Sequence, residues 1–176
     1  RHICGGFIYN DRFIITAASC VFEKAITSLK VKVSGLVLGI PEPGEQNIEV
    51  FSVHVHPSYD TMFKLHDLAF VKSGWGLISE TGDQTQRLQK TTIFNLAANC
   101  NIYGINEYSA NHMICAGDGT TSPCNYDQGS PLVQATPSGN IVIGIMSKNN
   151  GCVSPYPPTI YTRLATYYSW IMQTAG

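Results

Sequence analysis

The sequence Cys4-Gly5-Gly6-Phe7-Ile8 is followed after a turn by Phe13-Ile14-Ile15-Thr16-Ala17-Ala18-Ser19-Cys20, and these two segments indicate the fold most directly. They hold two short runs rich in aromatic and β-branched residues, at 7–9 and 13–16, and such runs predict strands. A cysteine stands at each end of the stretch. The pattern therefore indicates a β-rich fold in which the cysteines have a structural role.

Comparable β-rich runs recur along the chain, at 29–33, 48–54, 68–71, 87–94, 141–146 and 159–163. Gly/Pro turns separate several of them, for example at 41–44 and 137–140. Many short strands with such turns are typical of an all-β barrel or sandwich. Only the tail differs, because 165–173 places Tyr167, Trp170 and Ile171 at helical spacing, which predicts one amphipathic helix on the sheet core.

Composition limits the class of protein. The 176 residues are 44% hydrophobic, which suffices for one domain or for two small halves that share an interface. Only 13% are charged, the net charge is −1 and the lysines and arginines are scattered, which argues against nucleic acid and against an acidic membrane surface. No apolar run approaches the roughly 20 residues of a membrane span. The opening Arg1-His2-Ile3-Cys4 does not resemble a signal peptide, so we expect a mature or truncated chain.

The cysteines lie at positions 4, 20, 100, 115, 124 and 152, and no Cys-x-x-Cys pair of the kind that binds zinc occurs. Disulfides explain them more simply than buried free thiols, because reducing compartments rarely maintain so many cysteines in a short chain. An oxidising compartment is therefore expected. The spacing alone leaves the pairing open.

The opening stretch resembles the first strand pair of the chymotrypsin-like serine proteases, which reads C-G-G-x-x-I and then I-x-T-A-A-H-C. Ser19 stands where that family has its catalytic histidine. A second segment, Cys124 to Leu132, resembles C-x-G-D-S-G-G-P-L, with Gln128 at the position of the nucleophilic serine. Asp67 retains the family's aspartate in a segment similar to D-I-A-L-L. Other segments are similar to the family's motifs and follow in the right order, at 55–59, 74–76, 113–117, 144–147 and 160–163.

The resemblance implies an all-β fold of two perpendicular six-stranded Greek-key barrels with a C-terminal helix. It divides the chain into an N-terminal half, 1–72, and a C-terminal half, 73–176. Between Val71 and Gly74 the family has many more residues, which include a strand. Either the protein lacks them or the printed sequence leaves them out, and the open edge that a deleted strand would create favours the second. The implied disulfides are Cys4–Cys20, Cys100–Cys115 and Cys124–Cys152.

The same resemblance implies that catalysis is lost. Acyl transfer needs a hydroxyl, an imidazole that takes its proton and a carboxylate that orients the imidazole, and only Asp67 remains. Neither Gln128 nor Ser19 carries a group that could substitute. Tyr126 replaces an oxyanion-hole glycine, and because a residue with a Cβ adopts that conformation reluctantly, we expect the peptide to turn and one N–H donor to point away.

The specificity pocket is also expected to be narrowed. Asn149 and Thr159 fall at wall positions where the family has glycine, and Ser122 falls at the floor, where an aspartate would select Arg or Lys. Lys148, Asn149 and Asn150 follow Ser147 on the edge that would pair with a peptide, and Lys148 is either functional or, as favoured, a solvated surface charge. Asp127, if buried, needs a donor other than a new N-terminal amine.

Other candidate sites are weaker. His54 and His56 alternate on a predicted strand and could bind a metal with His66 or His112, but we expect no metal and no cofactor. His66, next to Asp67, is not expected to act as the base, because neighbours on a strand face opposite ways.

The favoured function is a secreted, extracellular protein-binding or regulatory module: a cascade cofactor, decoy or adaptor. Its partner would be a protease, a protease substrate or another cascade component. Two alternatives remain open. One is residual peptidase activity through a group such as Ser130, and the other is a small-ligand carrier with a remodelled cleft.

Overall fold

The computed structural model describes all residues except 1, 35, 36, 38, 74–91, 94–99, 101, 105, 118–122, 125 and 150–157. Two antiparallel sheets make up most of the described chain. The first contains β1 (Phe7–Ile8), β2 (Phe13–Thr16), β3 (Lys30–Val33), β4 (Gln46–Val55) and β5 (Ala69–Ser73), in the order β1-β2-β5-β4-β3. The second contains β6 (Met113–Ala116), β7 (Pro131–Thr136), β8 (Gly139–Lys148) and β9 (Thr159–Arg163), in the order β6-β9-β8-β7.

Helical structure is short and lies beside the sheets. A helix α1 (Ala18–Val21) follows β2, and a 3₁₀ turn (Ile26–Ser28) precedes β3. After β9 a 3₁₀ turn (Leu164–Tyr167) leads into helix α2 (Tyr168–Ala175). The predicted C-terminal helix is therefore present, with its first turn wound as a 3₁₀ helix. In the described part of the chain, no helix has the length and apolar character needed to cross a membrane.

Most predicted strands are found. β2 and β9 have the predicted bounds, whereas β4 and β8 are longer than the runs at 48–54 and 141–146 that predicted them. β6 and β7 were not predicted as strands. Of the run at 87–94, only Thr92 and Ile93 are among the described residues. Residues 74–91, which follow the point where the family is expected to have further chain, also lie outside them. The described residues therefore hold five and four strands, where the resemblance implies six in each barrel.

Both sheets are curled antiparallel sheets, as in half of a barrel. Register shifts interrupt the pairing of β4 with β5 between Val50 and Ser52, and of β8 with β9 between Met146 and Lys148. An extra residue in one strand bends that strand and increases its twist, which is how a flat sheet curves toward closure. The second irregularity lies next to Ser147, a residue of the site described below.

The main core joins the two sheets. Phe70 of β5 is fully buried and contacts Trp170 of α2, with 5.2 Å between ring centroids, and Tyr9 beyond β1, at 5.7 Å. Ile145 of β8 and Ile171 of α2 belong to the same cluster of buried side chains. The boundary between residues 72 and 73 stays a prediction, but the sheets on its two sides share this core.

One disulfide joins described residues in each half of the chain. Cys4 is bonded to Cys20, and Cys100 to Cys115, with Cα–Cα distances of 6.1 Å and 5.9 Å. These are two of the three implied pairs. Cys124 is also disulfide-bonded, and its expected partner, Cys152, lies outside the described residues.

Candidate functional site

Asp67 is the buried centre of the site. Its side chain accepts three hydrogen bonds: from the Ser19 backbone N–H (2.7 Å) and the Ser19 hydroxyl (3.0 Å), and from the Ser147 hydroxyl (2.5 Å). The Asp67 carbonyl accepts a fourth bond from the Thr162 hydroxyl, at 2.9 Å. The segment before β5, helix α1 and strands β8 and β9 therefore meet at one residue, which explains why Asp67 is fully buried although it is charged.

The electrostatics of Asp67 follow from this burial. Desolvation raises the pKa of the carboxyl, while the hydrogen bonds from Ser147 and Ser19 and the charge of Lys64 oppose the rise. Among the described residues no cation forms an ion pair with Asp67. Burial also raises the pKa of the neighbouring Tyr59 to about 12, assisted by the negative charges of Asp67 and Asp60. Among the described residues, the Asp67 carboxyl is therefore stabilised by direct hydrogen bonds from hydroxyl and amide groups, and the charge of Lys64 acts on it without forming an ion pair.

A second group of residues lies just beyond Ser147 and centres on Gln128. The Gln128 side-chain oxygen accepts a hydrogen bond from the backbone N–H of Tyr126, at 2.9 Å. Its side-chain nitrogen donates to the Asn149 side-chain oxygen at 3.5 Å, and Asn149 in turn donates to the Pro123 carbonyl at 3.0 Å. We call this chain of amides the Gln128 bridge. It connects the implied oxyanion-hole donor of Tyr126 with the implied pocket wall.

The backbone around Gln128 is held from two sides. The Gly5 N–H donates to the Gln128 carbonyl at 2.7 Å, and the Gly129 N–H donates to the Met146 carbonyl at 2.8 Å. Gly129 has a φ of +86°, and a Cβ at this position would collide with the Gly5 carbonyl and the Thr16 hydroxyl. Glycine is therefore required at 129 by both conformation and space.

The expectation for the Tyr126 peptide is wrong. Tyr126 has a φ of +76°, so it adopts the left-handed conformation despite its Cβ. The anchored residues that follow it, and a bond to its carbonyl from His2 Nε2 at 3.1 Å, offset the strain. The N–H does not point away from position 128 but is occupied by the Gln128 side chain.

The implied pocket residues are only partly described. Thr159 is buried in β9 and pairs with Ala116 of β6. Asn149 follows β8 and takes part in the Gln128 bridge. Ser122, the implied floor, lies outside the described residues. A shallow, narrowed pocket therefore stays a prediction.

Lys148 is not a freely solvated charge. Its ammonium lies 5.5 Å from the centroid of the Tyr103 ring, within the range of a cation–π contact, and the side chain is half-buried. Burial lowers the Lys148 pKa and the charge of Lys64 lowers it further, while Glu107 acts in the opposite direction. Burial and Glu107 together raise the Tyr103 pKa to about 12.

Asp127 and Ser130 flank Gln128 and have partners of their own. The Asp127 side chain is half-buried and accepts a hydrogen bond from the Cys124 backbone N–H at 2.7 Å, which supplies a donor other than a terminal amine. The Ser130 hydroxyl lies against Gly5, so closely that a Cβ at Gly5 would meet it. The Ser130 side chain therefore faces Gly5.

The histidines do not group as the sequence suggested. β4 ends at Val55, so His56 lies beyond the strand that carries His54. His54 contacts Ser52 and Phe13, while His56 stacks on His66 with 5.3 Å between centroids. The expectation that His66 and Asp67 face opposite ways rests on their being neighbours on a strand. That reason is wrong, since both residues precede β5 and His66 has a φ of +54°.

His56, His66 and His112 form a histidine cluster under helix α2. His66 and His112 have centroids 4.8 Å apart, and His66 hydrogen-bonds with the Tyr167 hydroxyl at 3.1 Å. Burial and the neighbouring imidazoles lower the pKa of His56, and burial and His112 lower that of His66, with Asp60 opposing. Within the described ranges, no set of three or more His, Cys, Asp or Glu side chains is arranged to hold a metal ion.

The architecture and the arrangement around Asp67 define a chymotrypsin-type fold, and comparison with known proteins identifies the family. The trypsin family model matches residues 1–73 and 70–171. Trypsin-1 of Astacus astacus is 29% identical over 210 aligned positions, covering 99% of this chain and 88% of the relative. A trypsin of Saccharopolyspora erythraea is 31% identical over 205 positions, covering 98% and 87%. The chain belongs to the trypsin family.

Two features of the site were not found from the sequence. The Gln128 bridge depends on which way a glutamine amide turns, and the contact of Lys148 with Tyr103 joins residues far apart in the chain. Motif matching places Gln128 and Lys148 but says nothing of their partners.

Proposed function

We propose that this chain is a non-catalytic member of the trypsin family that acts outside the cell as a protein-binding or regulatory module. The single observation that carries the proposal is the Gln128 bridge. In the family's mechanism the residue at position 128 attacks a carbonyl, and the N–H of the residue two before it stabilises the oxyanion. Here a non-nucleophilic amide stands at the first position and its oxygen occupies the N–H of Tyr126.

The group around Asp67 supports the same conclusion. Ser19 uses both its N–H and its hydroxyl to satisfy the carboxylate, at the position from which an imidazole would accept the nucleophile's proton. A hydroxyl has no basic nitrogen for that step. Since Ser147 donates to the same carboxylate, the cluster is complete without a histidine and serves to hold α1 and β8 together.

Location outside the cell is inferred from the cysteines. Two disulfides join described residues and Cys124 takes part in another, and disulfides of this kind persist in oxidising compartments. A preserved scaffold beside a site without nucleophile or base is what a cascade cofactor, decoy or adaptor requires. Its partner would then be a protease, a protease substrate or another component of the cascade.

A fluorophosphonate probe tests the loss of catalysis, because it reacts covalently only with an activated nucleophile. The refolded, disulfide-bonded chain should remain unlabelled and should not cleave peptide substrates, while an active trypsin is labelled in the same tube. Stoichiometric labelling would overturn the proposal. The variants Ser130→Ala and Ser19→Ala would then show which hydroxyl had reacted, and so test the alternative of residual peptidase activity.

Binding is tested separately from catalysis. The intact chain is cross-linked to secreted proteins from its source, and backbone hydrogen exchange then maps the contact face. Protection at β8 and the Gln128 bridge would place the partner in the former cleft, whereas protection confined to β3 and β4 would place it on another face. Retention of a small molecule without any protein partner would favour the ligand-carrier alternative.

A further inference from the structure

Three imidazoles from separate parts of the chain meet beneath helix α2. His56 follows β4, His66 precedes β5 and His112 precedes β6. The rings of His56 and His66 are stacked with 5.3 Å between centroids, and those of His66 and His112 meet edge to face at 4.8 Å. In the described part of the chain, none of these side chains is hydrogen-bonded to Asp67 or Gln128. The histidine cluster is therefore separate from the groups on which the proposed function rests.

Helix α2 rests on this cluster at its first turn. The Tyr167 hydroxyl, directly before the helix, is hydrogen-bonded with His66 Nδ1 at 3.1 Å. The Trp170 ring lies 5.0 Å from the His56 ring and 5.2 Å from the ring of Phe70, which is fully buried. The residues that place the helix on the imidazoles therefore also cover the aromatic core.

The hydrogen bonding of His56 fits a neutral imidazole. The backbone N–H of Ser58 donates to His56 Nδ1 at 3.2 Å, so this nitrogen is an acceptor. A protonated imidazole carries an N–H on both nitrogens and accepts at neither. Charging His56 would therefore break the bond from Ser58 and place a positive charge against the stacked ring of His66.

The surroundings of the two stacked rings also favour their neutral forms. Burial, His66 and His112 all lower the pKa of His56. Burial and His112 lower the pKa of His66, and the negative charge of Asp60 opposes them. Asp60 is thus the one acidic side chain that acts on either ring within the described residues.

Charged groups on the other elements do not offset this. Arg163 of β9 donates to two backbone carbonyls, at 110 and 113, on either side of His112, and so adds a positive charge there. Burial and the charge of Asp67 raise the pKa of Tyr167, so its hydroxyl keeps its proton, and Lys64 acts on Asp67. Helix α2 contains no Asp, Glu, Lys or Arg.

We propose that the histidine cluster holds helix α2 in place only while its imidazoles are neutral, so that mild acid, about pH 5–6, releases the helix and uncovers the aromatic face around Phe70 and Trp170. In a released form the solvated imidazoles have their ordinary pKa of 6.5. Each imidazole that stays neutral in the docked form therefore raises the equilibrium constant for release about thirtyfold between about pH 7.5 and about pH 5.

Amide hydrogen exchange of the intact, disulfide-bonded chain tests this. Protection factors, which correct for the intrinsic pH dependence of exchange, should fall about thirtyfold or more in α2 (Tyr168–Ala175) between about pH 7.5 and about pH 5. The amides of β2 (Phe13–Thr16) should keep their protection over the same range. Binding of a dye that recognises exposed apolar surface should increase in parallel with the loss of protection in α2.

Variants assign the effect to the cluster. The double variant His56→Gln with His66→Gln should limit the fall to within about fivefold, whatever its protection at neutral pH, whereas His54→Gln, outside the cluster, should keep the full fall. Asp60→Asn retains an oxygen for the backbone N–H groups of Met62 and Phe63 but removes the charge that favours protonated His66. It should therefore enlarge the fall.

Protection of α2 that does not change with pH would overturn the inference, and so would an equal fall in the double histidine variant. Simultaneous loss of protection in β2 and α2 would also overturn it, because the acid effect would then be global unfolding. None of these outcomes depends on labelling by the fluorophosphonate probe, so this inference and the non-catalytic proposal stand or fall separately.

Discussion

Asp67→Asn should be nearly neutral in this protein, although it removes a fully buried charge. The amide keeps one oxygen to accept the Ser19 N–H and presents an NH₂ group to the Ser19 and Ser147 hydroxyls, each of which can rotate to accept. Among the described residues, Asp67 has no ion pair that the substitution would break. We therefore expect the free energy of unfolding at neutral pH to stay within about 1 kcal/mol of the parent value.

Asp67→Ala should behave very differently. It leaves one backbone N–H and two hydroxyls without their acceptor in a site that is fully buried, and it opens a small cavity. An unsatisfied buried polar group costs about 1–3 kcal/mol, so with partial relief by water the variant should lose roughly 3 kcal/mol or more. The contrast between the two variants isolates hydrogen bonding from charge.

The pH dependence gives a second readout. Because burial raises the folded-state pKa of Asp67 above its ordinary value of 3.8, the unfolded carboxyl ionises first as the pH rises. Stability contributed by this group is therefore present below 3.8, falls as the pH rises toward the folded pKa and is constant above it. The asparagine variant should lack this fall.

Urea unfolding across a pH series measures both effects. The slope of the unfolding free energy against urea concentration should be the same for parent and variants. If Asp67→Asn cost as much as Asp67→Ala at neutral pH, the Ser19 and Ser147 hydroxyls would not be free to reverse their hydrogen bonds, and the reasoning would be refuted. If the pH profiles of the parent and asparagine variant coincided, the raised pKa would be refuted.

The histidine cluster and the Gln128 bridge each give a further prediction. The lowered folded-state pKa of His66 means that the unfolded state binds more protons, so stability present above 6.5 is lost as the pH falls below it. His66→Gln should reduce that loss in urea unfolding, whereas the same change at His54, outside the cluster, should leave it intact. Gln128→Ala should speed amide hydrogen exchange at Tyr126 about tenfold or more and cost about 0.5–1.5 kcal/mol, while Gln134→Ala on exposed β7 should do neither. Unchanged protection of the Tyr126 amide would contradict the bridge.

The strands that the sequence predicted well are those with dense β-branched and aromatic residues, such as Phe13–Thr16 and Thr159–Arg163, most of which are buried. β7 was missed because it starts with a proline and most of its residues are exposed, so no alternating pattern marks it. β7 is a strand because its residues pair with β8, and its own composition does not predict that pairing.

The site was predicted in part for a similar reason. Motif spacing predicted Ser19, Asp67 and Gln128 as the triad positions, and the structure brings Ser19 against Asp67, but local propensity gave the wrong backbone at Tyr126. The strain of a positive φ is on the order of 1–3 kcal/mol, which the tertiary anchors at Gly5 and Met146 can outweigh. Those anchors join residues distant in the chain, so no local pattern reports them.

The shared core bears on the order of events during synthesis. Phe70 and its neighbours in the first sheet are covered by Trp170 and Ile171, which the ribosome adds about a hundred residues later. Until then the nascent first sheet exposes an aromatic face, and exposed faces of that kind attract chaperones or other nascent chains. The disulfide between Cys4 and Cys20 closes within that early segment. It would therefore hold β1 and β2 together before helix α2 has been synthesised.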